Sequence, residues 1–161
     1  AEVIAPHAEA FRSAKARFWF LGGAKDEPYA ARCRALVADR GLDDRVAWAG
    51  YIADMPPWLI ALDVIAFPAP EGTARTLLEA AAYGVPAVAR DTSREIVEPG
   101  ENGFLCADVK GLAEPLLRLA GDASLRARLG AAGRAIADDR FNIRKNRDTY
   151  ARMYDELTAD R

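Results

Sequence analysis

Two glutamates eight residues apart, Glu71 and Glu79, bracket the segment of this chain best suited to chemistry. The run Phe67-Pro-Ala-Pro-Glu71-Gly-Thr-Ala-Arg75-Thr-Leu-Leu-Glu79-Ala-Ala-Ala-Tyr-Gly84-Val-Pro86 reads as a strand end, a loop and then a helix over 74–83. Glu71 falls in the loop and Glu79 on the second helical turn. The helix is apolar nearly all round (Ala74, Leu77, Leu78, Ala80, Ala81, Ala82), a composition that predicts burial. A carboxylate there is costly unless it accepts hydrogen bonds or meets a cation. Ligand hydroxyls could be its donors; so could backbone amides or an arginine of the chain itself.

The helix start adds a second feature. The amides of Thr73, Ala74, Arg75 and Thr76 have no partners within the helix and sit at its positive dipole end, which suits an anion. Arg75 is a cation where the dipole disfavours one; a bound diphosphate would reverse that penalty, although a solvated arginine reads equally well. Eight helical residues span at most about 12 Å. Two acids about that far apart, with an anion site between them, match a nucleotide–diphosphate–sugar: one acid for the hexose, the other for the ribose. They are too dispersed for an acid/base pair hydrolysing one bond.

The elements that must hold these residues alternate along the chain. Strands are predicted at 17–22, 45–49, 63–67, 86–89 and 103–106. Helices are predicted at 28–40, 55–62, 74–83, 92–97, 112–120, 124–138 and 143–157, and Val3, Ile4, Ala8, Phe11 and Ala14 give the opening residues a helical period. This alternation implies a parallel sheet covered on both faces. Such a sheet binds ligands beyond the carboxyl ends of its strands.

Composition removes other classes. The 161 residues are 51% hydrophobic and 29% charged, with a net charge of −2, which describes a globular domain and not a polycation for nucleic acid. Cys33 and Cys106 are the only cysteines and His7 the only histidine. A disulfide scaffold, a cysteine-rich metal site and a Ser–His–Asp triad within the chain are thereby excluded. No apolar run approaches the roughly 18 residues of a membrane span. Gly22-Gly23-Ala-Lys25-Asp26 lacks the third glycine of a dinucleotide fingerprint. Phe67-Pro68 stands where a receiver-type signalling domain would want aspartate. Trp19, Trp48 and Trp58 read as core or sheet-edge residues, the two cysteines as small buried ones, and the arginines of 124–147 as a solvated face.

The glutamate pair and the run Leu78-Glu79-Ala80-Ala81-Ala82-Tyr83-Gly84-Val85-Pro86 resemble the glutamate–x7–glutamate motif of family 4 (group 1) glycosyltransferases with the GT-B fold. Phe20-Leu21-Gly22-Gly23, Asp43-Asp44-Arg45-Val46 leading to Ala49-Gly50-Tyr51-Ile52, Asp63-Val-Ile-Ala-Phe-Pro68, and Asp91-Thr-Ser-Arg94-Glu95-Ile-Val97 followed by Gly100-Glu-Asn-Gly103 are similar to further family segments, in the family's order. The resemblance implies a Rossmann-like three-layer α/β/α domain, the C-terminal donor-binding half of GT-B. Glu71 would hold the donor sugar as the catalytic residue and Glu79 the ribose. The Thr73, Ala74, Arg75 and Thr76 amides would hold the diphosphate, with the Gly22-Gly23 loop beside the donor and Tyr51 and Ile52 beside the base. No metal or cofactor is implied; the donor is a UDP-, GDP- or ADP-sugar. Thr73-Ala74-Arg75 replaces the glycine and aromatic residues that usually follow the first glutamate, which bears on donor identity. Ser93 stands where glycine is common.

Two parts of the family pattern are missing: the basic arginine–x4–lysine pair and the central first strand that carries it. The chain is therefore expected to be a piece of a longer protein, with residues 1–140 as the nucleotide-sugar domain and 141–161 as a crossover helix. The resemblance implies a cytoplasmic setting, with any hold on the inner face of the membrane left to the absent acceptor domain. The sheet is expected to have a gap, filled by another segment or chain, and the isolated piece to bind donor poorly and catalyse nothing. The stripe Ile143, Tyr150, Met153, Tyr154 and Leu157 is expected to be exposed or covered by a partner. A non-catalytic nucleotide-binding or protein-interaction domain of Rossmann type is the alternative.

Overall fold

The computed structural model describes residues 1–69 and 75–159. A 3₁₀ turn at Ala5–His7, with Pro6 inside it, opens into α1 (Ala8–Ser13). There follow β1 (Phe18–Leu21), α2 (Glu27–Asp39), β2 (Val46–Gly50), α3 (Pro56–Ala61), β3 (Ile65–Phe67), α4 (Arg75–Ala82), β4 (Ala87–Arg90) and β5 (Gly103–Cys106). Three helices complete the chain: α5 (Ala113–Gly121), α6 (Ala123–Arg140) and α7 (Ile143–Ala159).

Capping explains several boundaries. The Asp26 carboxylate accepts the Tyr29 N–H (2.8 Å) to start α2, and Asp122 accepts the Leu125 N–H (2.8 Å) to start α6. At the end of α4, Gly84 adopts φ +76°, and the Gly84 and Val85 amides fold back onto the carbonyls of Ala81 and Ala80.

All strand pairs are parallel, as the alternation predicted, but they form two sheets. One is β1–β2 and the other β3–β4–β5; no ladder joins β1 to β3 among the described residues. Helices cover both faces. On one side Phe11 of α1, Val37 of α2 and Leu116 and Leu119 of α5 pack with Phe18, Phe20, Val46, Val88 and Cys106. On the other, Leu59 of α3 and Leu77 and Ala80 of α4 pack with Ile65, Ala87 and Ala89. The strands thus present apolar side chains to both faces, as strands of a covered parallel sheet must.

Three local expectations are corrected. Residues 92–97 are not a helix: a 3₁₀ turn at Asp91–Ser93 ends at once. The buried Asn102 explains this, because its side chain accepts the Glu98 N–H (2.8 Å) and donates to the Ile96 carbonyl (2.8 Å), replacing helical partners. Helix α4 is not buried all round. Leu77, Ala80 and Ala81 are buried, whereas Arg75 and Ala82 are exposed. The arginines of 124–147 are not only a solvated face: Arg126 donates to the Leu119 carbonyl (2.7 Å), Arg128 to the Gly100 carbonyl (3.2 Å), and Arg140 pairs with Glu98.

Candidate functional site

Parallel strands deliver their following loops to one edge, and those sequence-predicted site residues that are described lie on these loops or just beyond them. Gly22 and Gly23 follow β1, Tyr51 and Ile52 follow β2, and α4 follows β3. Just past β1, the Gly22 N–H donates to the carbonyl of Gly50, the last residue of β2 (2.7 Å), and holds the start of the glycine loop against that strand. Gly22 has φ +121°, a conformation that side chains resist, so this crossing point favours glycine. Tyr51 stands out in solvent, 81% exposed, and Ile52 is half-buried.

The glutamate pair is seen from one end only. Glu71, Thr73 and Ala74 lie outside the described residues. Arg75 is exposed on the first residue of α4 and Thr76 is half-buried beside it. Glu79 sits one turn further along, half-buried. No described side chain bonds or pairs with its carboxylate.

The apolar face of α4 fixes Glu79 in place. Leu77 and Ala80 enter the core beside β3 and β4, and α6 crosses close behind. A Cβ on Gly130 of α6 would collide with the Gly84 carbonyl, whereas one on Gly133 would make ordinary van der Waals contact with Ala81 at 3.7 Å. The missing side chain of Gly130 thus lets α6 approach the end of α4 closely.

One residue went unnoticed in sequence. Arg90 ends β4 on the face opposite α4, since it shares the side of Val88 by alternation. Its Nε is buried without an acceptor among the described residues. It lines a cavity of about 560 Å³ with Val3, Pro6, Asp108 and Lys110. The available signal was a cation directly after the apolar run Val85–Ala89, at a strand's carboxyl end. Neither this cavity nor the one beside Arg12 and Arg40 includes a sequence-predicted site residue. No cluster of three metal-ligating side chains occurs among the described residues.

Parallel strands covered by helices on both faces, with their following loops gathered at the carboxyl edge, define a Rossmann-like domain. The profile of the family described as "Glycosyl transferases group 1" matches residues 1–122, and the chain belongs to that family. The lipopolysaccharide core biosynthesis mannosyltransferase LpsB of Rhizobium meliloti is 32% identical over 136 residues, 80% of this chain and 39% of that protein. The glycosyltransferase LpsE of the same organism is 29% identical over 140 residues, 84% of this chain and 40% of that one. Among solved structures, Anabaena HepE in complex with UDP superposes with a TM-score of 0.79 at 26% identity, covering 97% of this chain and 46% of that one. The fold is thus the Rossmann-like C-terminal half of a GT-B glycosyltransferase. The chain spans less than half the length of each of these relatives.

Proposed function

We propose that this chain is the donor-binding part of a retaining glycosyltransferase that moves a sugar from a nucleotide-diphosphate sugar to an acceptor. Glu71 contacts the hexose and Glu79 the ribose. The Thr73, Ala74, Arg75 and Thr76 amides hold the diphosphate, Gly22 and Gly23 let backbone approach it, and Tyr51 and Ile52 flank the base. Catalysis consists of orienting the donor and stabilising the departing diphosphate, with no metal. The acceptor site belongs to polypeptide beyond these residues, and α7 packs against it through Ile143, Tyr150, Met153, Tyr154 and Leu157. The 161 residues alone are inactive. The setting is cytoplasmic, with any contact to the inner face of the membrane made by the acceptor-binding part.

The observation that carries this reading is Glu79. It is a half-buried carboxylate without a partner among the described residues, on the helix that follows a parallel strand's carboxyl end. Hydroxyl donors from a ribose would supply what it lacks. The UDP complex of HepE supports the ligand class.

Calorimetric titration of UDP-, GDP- and ADP-sugars into the chain joined to its acceptor-binding half tests the reading. One nucleotide should bind, and Glu79→Gln should weaken it by about tenfold or more, the value of a hydrogen bond to a charged group. Binding of no nucleotide sugar, or equal affinity in the variant, overturns the assignment and favours an interaction domain of Rossmann type.

A further inference from the structure

Arg90 is a cation in a place that calls for an anion. It ends β4, the middle strand of its sheet, directly after the buried Ala87, Val88 and Ala89. A guanidinium whose Nε is shut from water is costly unless an acceptor meets it. That Nε has no acceptor among the described residues, and Arg90 joins no ion pair there. Arginine does not shed its proton in a protein, so the demand cannot be removed by titration.

The cavity in front of Arg90 has fixed walls. The turn after β5 brings Asp108, Val109 and Lys110 to it. That turn is pinned twice, because the Asp108 carboxylate accepts the Gly111 N–H (2.8 Å) and the Cys106 thiol donates to the Gly111 carbonyl (3.3 Å). Opposite stand Val3, Pro6 and His7, held by the buried Ile4 and Ala5 between them. The Ala5 carbonyl also accepts from Arg40 (3.3 Å). About 560 Å³ between such walls is the size of a small-molecule site. It lies on the sheet face away from α4 and Glu79.

The lining selects the ligand. Two cations, Arg90 and Lys110, share the cavity with two acids, Asp108 and Glu2, and His7 is the remaining titratable group. A phosphate dianion would meet both acids as well as both cations. A single carboxylate instead matches the guanidinium fork with two parallel hydrogen bonds. The acids are then free to accept from hydroxyls, and Val3, Pro6 and Val109 offer apolar surface to the face of a ring. We infer that this cavity binds a sugar acid of the uronic type, with its carboxylate on Arg90 and its hydroxyls on Asp108 and Glu2. Lys110, exposed at the rim, adds a second positive charge. The inference is independent of the donor reading and needs no nucleotide for its test.

The test titrates methyl glucuronide and methyl glucoside, which differ in the carboxylate alone, into the chain at constant ionic strength. Acetate and inorganic phosphate are titrated in parallel. Binding is followed by NMR at the Arg90 Nε–H and at the Lys110 and Gly111 amides. The glucuronide should shift these signals saturably, with the other three compounds at least about tenfold weaker, the value of a hydrogen bond to a charged group. Arg90→Gln should weaken the glucuronide by about tenfold or more. Arg90→Lys, which keeps the charge and loses the fork, should weaken it several-fold and serves where Arg90→Gln fails to fold. No saturable shift, or unchanged affinity in a folded Arg90 variant, overturns the site. Equal binding of the glucoside overturns the role of the carboxylate, and equal binding of acetate or phosphate overturns the sugar acid as its ligand.

Discussion

Cys106 shows how a single side chain sets a pH response. Its thiol is buried at the end of β5 and donates to the Gly111 carbonyl (3.3 Å). Burial raises its pKa, and the nearby charges of Asp108 and Glu114 raise it further. The folded chain therefore keeps the proton at a pH where the unfolded chain, with a thiol pKa of about 8.5, releases it. The resulting stability is complete below that value and declines as pH rises above it. Urea midpoints measured from pH 7 to 9.5 should fall less steeply in Cys106→Ala than in the parent chain. At pH 8 the folded thiol should also resist iodoacetamide, which distinguishes a packing cysteine from a reactive one.

At the scale of elements, the α4–α6 contact places Glu79 and is also the contact least tolerant of change. Gly130→Ala pushes a methyl group into the Gly84 carbonyl and should cost about 1–3 kcal/mol in denaturant unfolding. Gly121→Ala, at the end of α5 with open space around it, should be neutral or stabilising by about 0.4–1 kcal/mol. If the two behave alike, helix propensity decides and the close approach does not. Sequence could locate these helices but not their contact. Periodicity placed α2, α4, α6 and α7 to within a few residues, because apolar spacing and the caps Asp26 and Asp122 are local signals. Segment 92–97 misled because the competing groups come from Asn102, several residues away. Burial of α4 was overestimated because alanine suits both core and surface. Strand ends located the loops bearing Gly22, Gly23, Tyr51 and Ile52, but the roles given to these residues rest on the family resemblance alone, whereas Arg90 acquires meaning only once the first residues fold over it.

For the molecule as a whole, the C-terminal helix stands apart. No residue of α7 is buried, and Ile143, Tyr150, Tyr154 and Leu157 are all more than 60% exposed. The expected stripe is present and nothing within the described residues covers it. Met153→Glu combined with Leu157→Glu should accordingly shift unfolding of this chain by no more than about 0.5 kcal/mol, the usual range for surface changes. In a longer chain whose acceptor-binding half packs on α7, the same pair should cost several times as much, and equal effects in both would remove that half from this helix. No described helix is long and apolar enough to cross a membrane, so these side chains do not form a spanning segment.

The hydrogen bond from Gly22 to Gly50 ties the loop after β1 to the last residue of β2, from which the loop bearing Tyr51 starts. Whatever immobilises one of them restrains the other. The conformational entropy lost on first contact is then shared, and a second contact at the neighbouring loop meets a surface already ordered. If the donor is held as proposed, a base settling beside Tyr51 would prepare the glycine turn for its phosphates, and the two halves of that ligand would bind more tightly together than their separate affinities imply.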